Sequence, residues 1–245
     1  EIRHVIGVAE QTDPVDNNAY VNMAATRVLQ EAAAFACRLK RPDADRWNEI
    51  AGRMYLPVDK DRGIILNHDR YSAEERGVAA STPEALAGLF PFNYSVEAPT
   101  ERRTIEFYLG RVDEFVGYPM LSALLGTYAA RLGDRAAALR WFERGYADFI
   151  EDPFTETNEF SRKRFPDKPR TGPFMANLGG FLMSCLYGLT GLQLGPEEPA
   201  KWCRRPVVLP EGWDAIEVDR LIVRGRPAQL EARHGAARAT LQIDS

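Results

Sequence analysis

The run Gly7-Val8-Ala9-Glu10-Gln11-Thr12-Asp13-Pro14-Val15-Asp16-Asn17-Asn18-Ala19-Tyr20 sets a carboxylate, Glu10, in a polar loop that leads straight into a helix. From residue 16 to residue 40 the apolar side chains of Met23, Val28, Leu29, Ala32, Phe35, Ala36 and Leu39 recur at helical spacing, with Asp16 as the expected N-cap. Loops at the ends of a rigid scaffold are where catalytic groups tend to sit. A loop Glu without further context is more often a solvated surface residue. The pattern alone leaves both readings open.

Helical texture continues outward from this stretch to about residue 192. Asp43 or Asp45 opens a second helix with Trp47, Ile50, Ala51 and Met54 on one stripe, which Pro57 stops. Thr100 is the expected cap of a helix bearing Ile105, Tyr108, Leu109 and Val112. Pro119 suits the first turn of the next, which ends at Gly133. Asp134 caps another, with Ala138, Trp141, Phe142 and Phe149 directed inward. A last helix, from about Pro173 to Tyr187, is apolar nearly all round and should lie deep between neighbours. Trp47 and Trp141 fall at core spacing. Short links between successive helices read as antiparallel pairs. Beyond Gly191 the prolines 196, 199, 206 and 210 mark a change to short strands, with turns at Arg224-Gly225-Arg226 and His234-Gly235 before Thr240-Leu241-Gln242-Ile243.

The chain has 245 residues, 45% hydrophobic and 27% charged, enough to bury a large core. Its net charge of -4 gives no basic footprint for nucleic acid. The most apolar stretch, Met175 to Leu194, is interrupted by Gly179, Gly180 and Thr190, so no membrane span is expected. Residues 1–10 mix charged and apolar types and do not read as a signal peptide. Cys37, Cys185 and Cys203 lack metal spacing and read as buried free thiols, consistent with a cytoplasmic address. His4, His68 and His234 share no ligand spacing either, so neither metal nor cofactor is expected. The first residue is Glu1, and Ile2 to Gly7 reads like an interior segment, so a fragment or processed chain is expected.

The segment from Gly7 to Tyr20 resembles glycoside hydrolase family 65, whose members carry Gly-Pro-Asp-Glu-Tyr-His followed by Val-Asp-Asn-Asn-Ala-Tyr. The alignment needs no gap: Glu10 falls on the family's general acid, and Val15 to Tyr20 match throughout. Val8, Ala9, Gln11 and Thr12 depart from the pattern. For Asp16, Asn17 and Asn18, helix capping and sugar contact remain alternatives. A second cluster is similar to the end of the family's helical barrel: Pro153-Phe154, Thr157-Asn158-Glu159, Asn177-Leu178-Gly179-Gly180-Phe181 and Gly188-Leu189-Thr190-Gly191-Leu192. There the resemblance puts Glu159 on the family's general base, with Glu156 as a nearby rival, and the glycine pair where helices approach closely.

What the resemblance implies is a mainly α fold. Residues 1–192 would form the later half of an (α/α)6 catalytic barrel of paired antiparallel helices, and residues 193–245 a small C-terminal β-sandwich module. The family's N-terminal half would have to be supplied by a preceding segment or a second chain, and the partner would be a small carbohydrate. Phosphorylase members of the family carry a His-Ser-Ser-type loop for phosphate. This chain has Gly117-Tyr118-Pro119-Met120-Leu121-Ser122 instead, nearer the hydrolase pattern, with Tyr118 a candidate sugar contact beside Asn17 and Asn18. Ser81-Thr82 replaces a substrate-touching Lys-Gln pair. The implied reaction is inverting hydrolysis of an α-glucoside. A buried, protonated Glu10 would donate to the leaving oxygen, while a more solvated Glu159, roughly 6.5–9.5 Å away in such enzymes, would activate water. An inverting phosphorylase and a non-catalytic carbohydrate-binding homologue are the rivals.

Overall fold

The computed structural model describes residues 1–10, 13–153 and 156–244. Gln11 and Thr12, two of the departures in the acid loop, and Phe154 of the second cluster lie outside the described residues. The chain is helical with small antiparallel sheets and divides into two compact units, Glu1–Phe115 and Val116–Ser245.

The first unit opens with a loop closed by an antiparallel bridge between Val5 and Val15. The long helix α1 (Ala19–Arg38) follows, then α2 (Ala44–Gly52) and a short hairpin of β1 (Val58–Asp59) and β2 (Ile64–Ile65). Three helices complete it: α3 (Val78–Ser81), α4 (Glu84–Leu89) and α5 (Ala98–Leu109), before a 3-10 turn at Val112–Glu114. α1 packs on α2 and α4, and α5 packs on α4 and β2. Met23, Ile65, Leu86, Leu89, Phe90, Ile105 and Tyr108 are fully buried among these elements, each large apolar side chain contributing about 1.5–3 kcal/mol. Gly88 lets α4 approach α1, because a Cβ there would collide with Met23.

The second unit begins with a 3-10 turn (Met120–Leu124) that runs into α6 (Leu125–Arg131), which packs on α7 (Arg135–Gly145). Asp134 caps α7 as expected, its side chain accepting from the Ala137 amide at 2.9 Å. A two-strand hairpin, β3 (Ile150–Glu151) and β4 (Glu156–Thr157), precedes α8 (Met175–Met183), whose end widens into a π turn over Ser184–Gly188. Strands β5 (Ala215–Val223), β6 (Arg226–Arg233) and β7 (Thr240–Ile243) form one antiparallel sheet in the order β5-β6-β7. Arg224 and Gly225 both have positive φ, 51° and 80°, the conformation that a two-residue hairpin turn requires. Ala228, Leu230 and Ala232 bury one face of β6 while Gln229, Glu231 and Arg233 stay out, the period of two of a half-covered strand. Arg135 ties α7 to the segment before β5, donating to the carbonyls of Leu209, Pro210 and Trp213 at 3.0, 3.1 and 3.0 Å.

Several local expectations are corrected. α1 is capped by Asn18 rather than Asp16: the Asn18 side chain accepts from Val21 N at 3.1 Å, while Asp16 accepts from the His4 amide at 2.9 Å. α5 starts before Thr100, because Pro99 fits the first turn and leaves Thr100 inside the helix. α8 is not buried all round, since Met175 and Leu182 are 64% and 55% exposed; the 3-10 turn at Met120–Leu124 packs on one side of it. Of the glycine pair only Gly180 serves close approach, its Cβ position lying 2.9 Å from Ala123, whereas nothing lies near Gly179. Trp141 is buried but Trp47 is half-exposed, and Cys37 is exposed. Among the described residues no helix is long and apolar enough to cross a membrane.

Candidate active site

In the first unit the loop before α1 is built from the polar residues that follow it. Asn17 is buried with φ 53°; its Nδ2 donates to Asp69 Oδ2 at 2.7 Å, and its Oδ1 accepts from the amide of Ile2 and from Asn22 Nδ2, both at 3.3 Å. The backbone is pinned twice more, Asn17 N donating to Ile2 O and Ala19 N to Asn67 O, both at 2.8 Å. Asn18 is 0% exposed. Its Oδ1 caps α1, and its Nδ2 donates to Glu84 Oε2 at 2.9 Å. The other oxygen of Glu84 accepts from Ala9 N at 2.9 Å. Thus both side-chain groups of Asn17 and both of Asn18 are used inside the protein.

Glu10 follows Ala9 at the outer end of this arrangement, exposed, with φ 51°. Its exposure corrects the expectation of a buried acid: the carboxylate buried in this unit is Glu84. Burial raises the Glu84 pKa, while the donors Ala9, Asn18 and Val8 pull it back down. Glu84 did not emerge from the sequence as a functional candidate. The available signal was a carboxylate heading the otherwise apolar run Ala85 to Phe90.

In the second unit Glu159 follows β4 and is half-buried, so the expected contrast of a buried Glu10 with a more solvated Glu159 is reversed. Its amide donates to Thr171 Oγ1 at 3.2 Å. The preceding Asn158 is buried: its Nδ2 donates to Phe149 O and Glu151 Oε2, both at 3.3 Å, and its Oδ1 accepts from Thr171 N at 3.2 Å. Asn177 of α8 completes the support, Nδ2 donating to Asn158 O at 2.7 Å and Oδ1 accepting from Met120 N at 2.6 Å. Glu156 pairs opposite Glu151 in the hairpin and is half-buried. Tyr118, also half-exposed, meets Phe160 and Phe165 edge-on at 6.0 and 5.0 Å, so the residue after Glu159 carries one wall of an aromatic cluster. In the 117–122 loop the amide of Gly117 donates to Ser122 Oγ at 3.2 Å. Among the described residues no group of three or more His, Cys, Asp or Glu side chains is placed to hold a metal ion.

Residues 1–84 match the model of the glycosyl hydrolase family 65 central catalytic domain. A kojibiose hydrolase of Flavobacterium johnsoniae is 26% identical over 219 residues, 89% of this chain and 30% of that protein. A protein-glucosylgalactosylhydroxylysine glucosidase of Mus musculus is 26% identical over 194 residues, 78% of this chain and 27% of that protein. The chain thus spans a little under a third of the length of these relatives. A solved structure titled a putative kojibiose phosphorylase from human microbiome overlays with a TM-score of 0.62 at 11% identity, covering 98% of this chain and 39% of the other. At that identity the overlay speaks for the fold alone. The resemblance carried by the Glu10 loop therefore stands: this chain resembles glycosyl hydrolase family 65, with residues 1–84 matching the model of that family's central catalytic domain and its similarity lying nearer the hydrolases.

Proposed function

We propose that this chain works in an inverting α-glycoside hydrolase that cleaves an α-glucosyl disaccharide or glucoside. The observation that carries the reading is the family match over residues 1–84, a span that contains Glu10 in a loop fastened at the preceding Ala9 by Glu84 and, at the start of α1, through Asn17 and Asn18. Glu10 is the general acid and gives its proton to the leaving oxygen; Glu159 is the general base and takes a proton from the attacking water. Asn17 and Asn18 serve this reaction by holding the loop, and Tyr118, half-exposed with the Arg164 guanidinium over its ring, is the sugar contact in the second unit. Water rather than phosphate is the nucleophile: the amides of Gly117 and Met120, where an anion would be cradled, are already engaged by Ser122 and Asn177. Helices in residues 1–192 are read as part of an (α/α)6 barrel and residues 193–245 as its β module. The exposed apolar residues Val28, Phe35 and Leu39 along α1 support this reading, as a face against which further barrel helices would pack.

The test is turnover by the full-length protein on kojibiose and other α-glucosyl disaccharides. Early products followed by NMR should contain β-glucose at a rate indifferent to phosphate. Glu10→Gln should lower turnover by at least about two orders of magnitude, and Glu159→Gln should abolish it. Formation of β-glucose 1-phosphate would replace this reading with a phosphorylase; full activity of Glu159→Gln with a silent Glu156→Gln would move the base.

A further inference from the structure

Glu84 opens a run, Ala85-Leu86-Ala87-Gly88-Leu89-Phe90, in which each following residue is apolar and buried. A carboxylate there is unfavourable unless several donors meet it. The donors that meet it are uncharged and come from one segment: the amides of Ala9 and Val8 and the side-chain amide of Asn18. Gly7 presses on the same carboxylate, since at its φ of 62° a Cβ would run into Glu84 Oε1. The two oxygens therefore hold the loop on both sides of Glu10, one at the residue before it and one at the cap of α1. Glu10 itself takes φ 51°, a conformation non-glycine residues keep only where their surroundings impose it.

We propose that Glu84 is a positioning residue for the acid, its buried carboxylate clamping Ala9 and Asn18 so that the Glu10 side chain is presented from a fixed backbone. The inference rests on Glu10 being the general acid, and it gives Glu84 no contact with substrate. When the C1–O bond of a disaccharide breaks, the leaving oxygen needs the Glu10 proton. When the C1–F bond of α-glucosyl fluoride breaks, fluoride leaves without one, while water still attacks C1 and gives its proton to the base. A mispositioned acid thus slows the first reaction and spares the second, whereas general damage to the fold slows both.

The experiment measures kcat on the disaccharide hydrolysed fastest and on α-glucosyl fluoride, in the full-length protein. Glu84→Gln sets an amide donor against either Ala9 N or Asn18 Nδ2, and the disaccharide-to-fluoride ratio should fall between about tenfold and a hundredfold, the scale of a small misplacement of a reacting group. Adding Asn18→Asp reverses the polarity of the pair. The carboxylate introduced at position 18 still caps Val21 and now accepts from the amide introduced at position 84, whose oxygen keeps Ala9. The double variant should bring the ratio back to within about twofold of the parent. An unchanged ratio in Glu84→Gln, equal losses on both substrates, or no recovery in the double variant would each overturn the proposal. Should Glu84→Gln not fold, the double variant alone decides. Glu10→Gln separates the two levels: if it leaves disaccharide hydrolysis intact, the acid assignment fails; if it silences hydrolysis while Glu84→Gln leaves the ratio unchanged, only the role of Glu84 does.

Discussion

Replacing Asn18 by Ala removes two interactions from one buried side chain. The first is the N-cap of α1, Oδ1 accepting from Val21 N at 3.1 Å, for which the usual cost of substitution is about 1 kcal/mol. The second is the side-chain donor to Glu84 Oε2, at 2.9 Å. Without it a buried carboxylate oxygen loses its partner, which costs a further amount of roughly 1–3 kcal/mol. Asn18 and Glu84 are both 0% exposed, so water cannot replace the lost donor without the packing opening. The sum is about 2–4 kcal/mol, well beyond the value for a cap at the surface. Urea unfolding followed by tryptophan fluorescence would measure it, with hydrogen exchange at the Val21 amide reporting the cap separately. Asn18→Asp is the matched control: it keeps the cap but sets a second carboxylate against Glu84, and two acids so close cannot both ionise. That variant should be destabilised at neutral pH and recover as the pH falls. A cost for Asn18→Ala below about 1 kcal/mol, the value of the cap alone, would refute the coupling between α1 and Glu84.

Where a residue's role is local, the sequence was enough to read it. Asp134 sits directly before an apolar periodic run and caps α7; Arg224-Gly225 offers the one glycine between two strand patterns and makes the turn. The start of α1 shows where this fails. Asp16 and Asn18 are both good capping types two residues apart, and the choice between them was made by distant partners: Glu84, 66 residues on, takes Asn18, and the His4 amide takes Asp16. Nothing near residue 18 encodes that. The acid loop was legible as a motif, because Glu10 and Val15 to Tyr20 lie within one short stretch. Its support was not, because Glu84 becomes a loop residue's partner only once α4 lies against α1. In the second unit the same holds for Asn177, which reaches Asn158 and Met120 across 19 and 57 residues. Burial was the least legible property: α8 is apolar on every side yet carries exposed Met175 and Leu182, because composition fixes what a helix prefers and only its neighbours fix what is covered.

Gly7→Ala should destabilise the first unit by about 2 kcal/mol or more, since the new Cβ meets Glu84 and the residue is held at φ 62°; a neutral result in urea unfolding would show that the loop can move away. Asn177→Ala strips partners from the Met120 amide and the Asn158 carbonyl, so a loss of about 2–4 kcal/mol is expected together with slower hydrolysis, because Asn158 carries the backbone of Glu159; full activity would detach that network from the base. The pH dependence of stability tests Glu84 directly. Burial raises its pKa above the usual 4.5 in the folded chain. Between that value and the raised one, the folded state therefore holds a proton that the unfolded state has released. By linkage, Glu84 lowers stability as the pH rises through this window and contributes no further slope above it. Urea midpoints measured across the window for the parent and for Glu84→Gln, which carries no titrating group at position 84, expose the difference, and titrations elsewhere in the chain cancel in it. The parent should lose stability relative to the variant as the pH rises. Parallel profiles, or a parent that gains on the variant with rising pH, would mean that the donors from Ala9, Val8 and Asn18 outweigh desolvation and that Glu84 folds as a comfortably ionised carboxylate.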